Sequence, residues 1–134
     1  MRITLDKNTI QLMNLFHNLT GSSVIDCIQE NNDVYFVVAK GQYGLSVGKN
    51  GIKIKNAEKI IKKNIRIFEY SEDVKTFVKN AIPEIQEIDI NKNVVSIKLK
   101  QNDKPRVIGK NGKNIKIISK ILERLFGIKA IKIK

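Results

Sequence analysis

The sequence predicts an α+β protein built from two consecutive units of one design, and three observations predict it. An internal repeat appears when the chain is slid on itself by 61 residues. Apolar residues switch between helical and extended spacing in the same order in both halves. The tetrapeptide Gly-Lys-Asn-Gly stands twice, at Gly48–Gly51 and Gly109–Gly112, at the same point of that order.

The elements follow in turn. Residues 8–20 put Ile10, Leu12, Met13, Phe16 and Leu19 on a wide helical face, with Gly21 as the stop. Two extended runs come next, about 23–29 and 34–39, joined by the turn-forming Asn31-Asn32-Asp33. A short helix leads into the first tetrapeptide, a longer basic helix follows it, and Ile65-Arg66-Ile67-Phe68 closes the half as a strand. In the second half, residues 72–82 carry Val74, Phe77, Val78 and Ala81 at helical spacing, with Ser71 as N-cap and Pro83 beyond the end. Strands are expected at about 84–90 and 94–100 around Asn91-Lys92-Asn93. Val95, Ile97 and Leu99 alternate there with Ser96, Lys98 and Lys100, so one face is buried and the other basic. The half ends on Lys129-Ala130-Ile131-Lys132-Ile133. The link near Tyr70-Ser71-Glu72 is short and free of Gly/Ser tracts, which divides the chain into domains 1–70 and 71–134.

Composition narrows the function. The chain of 134 residues carries 25 Lys and Arg against 13 Asp and Glu, a net charge of +12. Lysine-rich surfaces also serve solubility, but here the charges segregate. Between Lys40 and Arg66, Glu58 is the single acid, and beyond Lys98 only Asp103 and Glu123 oppose a run of lysines and arginines. The acids gather instead at Asp26, Glu30 and Asp33, and at Glu84, Glu87 and Asp89. That segregation fits a phosphate-binding face. Cys27 is the only cysteine, which excludes an intrachain disulfide and a cysteine-built zinc site. No apolar run is long enough for a membrane span and no signal-peptide pattern opens the chain, so a cytoplasmic protein is expected.

A Gly-x-x-Gly pattern is weak evidence alone: with 8 glycines in the chain, roughly half a match arises by chance. Gly41-Gln42-Tyr43-Gly44 is such a match, read as a loop before the short helix. The two Gly-Lys-Asn-Gly copies differ from it because they are identical, lie in one register, and each opens a basic amphipathic helix. Glycines let a phosphodiester approach the backbone, and the turn's N–H groups with the following helix start present donors to it. Lys49 and Lys110 add a mobile charge, and Asn50 and Asn111 tolerate a left-handed turn. A plain helix–helix turn would need the glycines but not the same lysine and asparagine twice. Other phosphate motifs fit worse. Gly44-Leu45-Ser46-Val47-Gly48-Lys49-Asn50 is one residue short of a P-loop and lacks its Ser/Thr, and no dinucleotide fingerprint is present.

Val107-Ile108-Gly109-Lys110-Asn111-Gly112-Lys113-Asn114-Ile115 resembles the signature of K-homology (KH) domains. Their GXXG loop clamps about four nucleotides of single-stranded nucleic acid. Ser46-Val47-Gly48-Lys49-Asn50-Gly51-Ile52-Lys53-Ile54 is a slightly more divergent copy. The element order matches the type II form, αββααβ, which implies a three-stranded sheet with helices packed on one face. Two such domains in tandem, covering nearly the whole chain, resemble the archaeal-type NusA family. The resemblance implies an RNA-binding transcription elongation or termination factor that associates with RNA polymerase. Bacterial relatives carry a polymerase-binding domain and an S1 domain before their KH pair, and these 134 residues hold neither.

The expected interface is a groove in each domain. Gly48, Lys49, Asn50 and Gly51, and Gly109, Lys110, Asn111 and Gly112, hold the sugar-phosphate, while Lys53, Lys113 and Lys116 track adjacent phosphates. Ile54 and Ile115 offer an aliphatic surface to the bases, with core packing as the competing reading. Only 6% of the residues are aromatic, so affinity is expected to lean on phosphate contacts and fall steeply with salt. His17 reads as structural, Cys27 as a small buried strand residue, and Glu84, Glu87 and Asp89 as a solvated face. No catalytic constellation is visible, so neither enzyme activity nor a cofactor is expected, and the predicted state is a monomer. The competing functions are a KH factor of ribosome biogenesis or RNA processing, and a protein-interaction module that has lost RNA binding.

Overall fold

A computed structural model describes residues 6–134. They divide into two compact units, one closing at Ser71 and the other running from Glu72 to Lys134. The first five residues of the expected domain 1–70 lie outside the described residues. Each unit follows the predicted α+β order and contains one three-stranded sheet.

In the first unit, α1 (Lys7–Thr20) leads to β1 (Val24–Glu30) and β2 (Asp33–Val38). Then come α2 (Tyr43–Val47), the glycine turn, α3 (Ile52–Ile61) and β3 (Asn64–Glu69). Helix α1 starts where the Thr9 N–H donates to Asp6 Oδ1 at 2.7 Å, and ends where the Gly21 N–H donates to His17 O. Strand β2 is central, antiparallel to β1 and parallel to β3. As a middle strand its run Val34–Val38 is buried throughout. Phe16 of α1 stacks on Phe36 of β2 with ring centroids 4.2 Å apart, and Cys27, Val34, Val38, Ala57, Ile65 and Ile67 belong to the same core. The helices thus cover the sheet face that carries Val34, Phe36 and Val38.

The predicted helical face of α1 holds except at Ile10. Ile10 is exposed, while Thr9, Phe16 and Thr20 are buried, with Leu12, Met13 and Leu19 at the margin of the core. The face is set by where Phe36 lies, which spacing along α1 does not carry.

The second unit repeats the plan with α4 (Val74–Ala81), β4 (Glu87–Asn91) and β5 (Val94–Lys98), followed by α5 (Lys104–Ile108), the second glycine turn, α6 (Lys113–Phe126) and β6 (Ala130–Ile133). Val95, Ile97 and Leu99 are buried, as the alternation predicts, and so are Ile117, Ile118, Ile121 and Leu122 of α6. Phe77 of α4 packs on Phe126 at 5.4 Å.

Two expected boundaries move. The N-cap of α4 is Asp73, not Ser71: Asp73 Oδ2 accepts both the Thr76 N–H at 3.2 Å and the Thr76 hydroxyl at 2.6 Å. The strand expected from residue 84 begins at Glu87, because Pro83 and Glu84 form a turn in which the Ile85 N–H donates to Ile82 O. The hydroxyl bond and then the backbone bond from Thr76 hold the Asp73 carboxyl below its ordinary value. A depressed carboxyl adds stability that is complete above its unfolded value and is lost as pH falls through its folded one. Thermal melts should therefore show Asp73→Ala unfolding earlier than wild type at pH 7, with the gap closing as the pH drops below about 4.

Candidate nucleic-acid interface

Each glycine turn is made by one helix stopping and another starting at an angle. Helix α2 ends with the Gly48 N–H donating to Gly44 O at 2.9 Å, and Gly51 N–H then donates back to Gly48 O at 3.1 Å. Lys49 and Asn50 stand between the two glycines so joined. The second turn repeats it, with Gly109 N–H to Pro105 O at 2.9 Å and Gly112 N–H to Gly109 O at 3.1 Å. Gly48 and Gly109 have φ/ψ of 77°/172° and 79°/170°, and Asn50 and Asn111 both sit at 56°/26°. The first pair of values belongs to a region that only glycine occupies freely. Asparagine is among the few other residues that accept the second. The residue types at all four positions thus follow from the backbone path as well as from phosphate chemistry.

Lys49, Asn50, Lys110 and Asn111 are exposed, so each turn presents one cation and one amide outward. Lys53 is placed otherwise. Its Nζ donates to Thr20 O at the end of α1, 3.0 Å away, and its stem lies across Gly48. Asn114, its counterpart in the repeat, lies across Gly109 and donates Nδ2 to Arg106 O at 3.1 Å. Both residues brace the first glycine of their turn from the inside, by different hydrogen bonds. Lys53 therefore brings its ammonium to a backbone carbonyl of α1, apart from Lys49.

Lys113 and Lys116 are exposed at the start of α6. Lys55 is not among the expected contacts, yet its ammonium reaches the turn where that of Lys53 does not, with Nζ 3.4 Å from Asn50 O. Its signal was its match to Lys116 in the repeat. Ile54 and Ile115 are half-buried, and Ile54 packs against the core of its unit. The freely exposed apolar side chain beside the first turn is instead Ile52, at 65% exposure. Tyr43 and Leu45 are also exposed on α2. The matching positions in the second unit are Lys104, Arg106 and Lys113, so the first turn has an apolar rim and the second a basic one. Arg106 is shared between Glu84 at 3.1 Å and Asp103 at 2.9 Å. Gly41-Gln42-Tyr43-Gly44 runs into α2, so its second glycine is helical and it is not a loop of the same kind.

The remaining singled-out residues have structural surroundings. His17 Nδ1 lies 2.6 Å from Ser22 O, and since a carbonyl only accepts, the ring donates. Cys27 is buried in β1. Among the described residues no helix is long and apolar enough to cross a membrane.

Comparison with known proteins agrees with this geometry. Residues 13–86 match the KH domain family, and residues 74–134 match the NusA-like second KH domain family. The chain is 37% identical to the "Probable transcription termination protein NusA" of Methanococcus vannielii, over 99% of this chain and 80% of that protein. It is 32% identical to the protein of the same description from Methanocaldococcus jannaschii, over 98% and 75%. The crystal structure of a protein designated APE1850 matches with a TM-score of 0.80 at 32% identity, covering 97% of this chain and 100% of that one.

Proposed function

The chain belongs to the NusA-like family of KH-domain RNA-binding proteins, and from that premise we propose that it is a transcription elongation or termination factor that clamps single-stranded RNA through both Gly-Lys-Asn-Gly turns. The observation that carries this reading is the identity of the two turns in sequence and in backbone path. In it, residues 1–70 and 71–134 act as two KH modules. Gly48–Gly51 and Gly109–Gly112 receive the sugar-phosphate on backbone N–H groups, as glycine turns before a helix do for other phosphates. Lys49 and Lys110 supply the charge, Lys113 and Lys116 follow the strand, and Lys53 acts through the turn that it braces. Ile54 and Ile115 form the floor under the bases. RNA polymerase is the protein partner this role requires, and the names of the relatives favour termination within it.

Ultraviolet crosslinking in cells, followed by sequencing of the bound RNA, tests the role. Nascent messenger RNA, enriched near transcript ends, is the expected target. Recovery of precursor ribosomal RNA instead would assign the chain to ribosome assembly.

A further inference from the structure

We propose that the carboxyl end of α3 is a second phosphate site of the first unit, which holds the RNA backbone after it leaves the Gly48–Gly51 turn. The inference rests on the RNA-clamping reading above and extends it to residues outside the turn.

A hollow of about 540 Å³ lies there, lined by Lys55, Lys59, Lys62 and Lys63 together with Asn32 of the β1–β2 turn. Its one acid is already engaged, since Glu58 Oε2 accepts the Ile65 N–H at 3.0 Å where β3 begins. Lys63 Nζ donates to the neutral Gln29 Oε1. Four lysines thus face one carboxylate across this open hollow, which leaves an excess of positive charge for a phosphodiester.

Lysines at a helix end have an ordinary explanation, because they complement the partial negative charge of the last carbonyls. Two observations exceed it. Lys62 occupies the left-handed cap of α3 at φ 63°, ψ 37°, its N–H donating to Glu58 O. The matching cap of α6 is Gly127, at φ 67°. Glycine takes this seat without strain, whereas lysine there is disfavoured, and such outliers gather at functional positions. Lys55, moreover, belongs to both places: its ammonium is 3.4 Å from Asn50 O within the turn, and it lines the hollow. Lys55, Lys59 and Lys62 or Lys63 follow one another at the spacing of a single helix face. They form a basic track along the roughly 15 Å of α3. The repeat places Lys116, Lys120 and Arg124 opposite Lys55, Lys59 and Lys63, but Glu123 opposite Lys62, so the second unit carries the helix face without the cap lysine.

The test is fluorescence anisotropy of the full chain with unstructured oligouridylates of five and twelve nucleotides, across a salt series. The variant is Lys59→Ala with Lys62→Gly and Lys63→Ala, and none of these residues is in the turn. Affinity for the twelve-nucleotide RNA should fall about tenfold and its log–log salt slope should shrink by about two, while the five-nucleotide RNA binds within about twofold of wild type. Because Lys62→Gly relieves the left-handed cap, the triple variant should melt no lower than wild type, which shows that the loss is not unfolding. Unchanged binding of the longer RNA overturns the inference and leaves the lysines as helix-end neutralisers. Equal loss on both lengths also overturns it, because general attraction then replaces a second site. Failure of the turn reading gives a different pattern, with five-nucleotide binding surviving Gly-Asp-Asp-Gly turns.

Discussion

Converting Gly-Lys-Asn-Gly to Gly-Asp-Asp-Gly in both turns should lower affinity for single-stranded RNA by about 100-fold or more at low salt. Each converted turn loses three units of charge, six in all, against a net +12 for the chain. The loss falls where phosphate is expected to sit, so attraction at contact is replaced by repulsion. Unlike most charge reversals, this one spares the fold. Lys49 and Lys110 are exposed, and aspartate is one of the few residues that accepts the left-handed seat of Asn50 and Asn111. The far-ultraviolet spectrum and melting temperature should stay near wild type while binding collapses. Unchanged RNA affinity at low salt would remove the turn mechanism. The single-copy versions should differ in kind. The second turn has the basic rim, so its conversion should remove more of the salt dependence than conversion of the first, which is bordered by Leu45 and Ile52.

Gly48→Ala should destabilise the first unit by about 3 kcal/mol or more, and Gly51→Ala by about 1 kcal/mol, although both are glycines of one motif. A methyl group on Gly48 would lie 2.8 Å from Lys53 Cγ and 3.0 Å from the Lys53 backbone nitrogen. The side chain could swing away, but the backbone atom belongs to the first turn of α3 and cannot. The φ/ψ of Gly48 is closed to alanine as well. Gly51, at φ 72° and ψ 18°, is in the left-handed helical region, and the nearest atom to a methyl there is the flexible Lys55 Cε at 3.6 Å. Denaturant unfolding, followed with a probe for each unit, measures the two costs. Gly109→Ala should repeat the larger effect in the second unit, where the methyl would meet Asn114 at 2.9 Å and its backbone nitrogen at 3.0 Å. Equal costs at Gly48 and Gly51 would contradict this account of the turn.

The element order was readable because it is written in short-range signals: alternation in Val95, Ile97 and Leu99, helical spacing in α4, and the tetrapeptide twice. Asp73 was also readable, since Asp73 and Thr76 stand at the spacing of a side-chain cap, but Ser71 is an equally good cap type and drew the boundary outward. The strand at residue 84 began too early because Ile85 continues the extended alternation through a turn set by Pro83. What stayed hidden depended on partners far away in sequence. Nothing near Lys53 announces Thr20 O, 33 residues earlier, and nothing near Ile10 says that Thr9 will face the core instead. Ile52 and Ile54 differ by two positions and share one residue type, so only the packing of α3 separates the exposed one from the half-buried one.

The parallel pairing of β2 with β3 has a consequence for how the protein is made. Strand β1 meets β2 through a tight hairpin, so both are at hand as soon as residue 38 has emerged from the ribosome. Strand β3 pairs with β2 at a separation of 31 residues, from Asp33 with Asn64 onward. Until those later residues arrive, one edge of the apolar run Val34–Val38 has no strand beside it, and α3 has no finished sheet on which to settle. The nascent first unit therefore leaves that edge open until β3 is made. Its glycine turn gains a finished sheet beneath it only when β3 has been made, with the whole second unit still to follow.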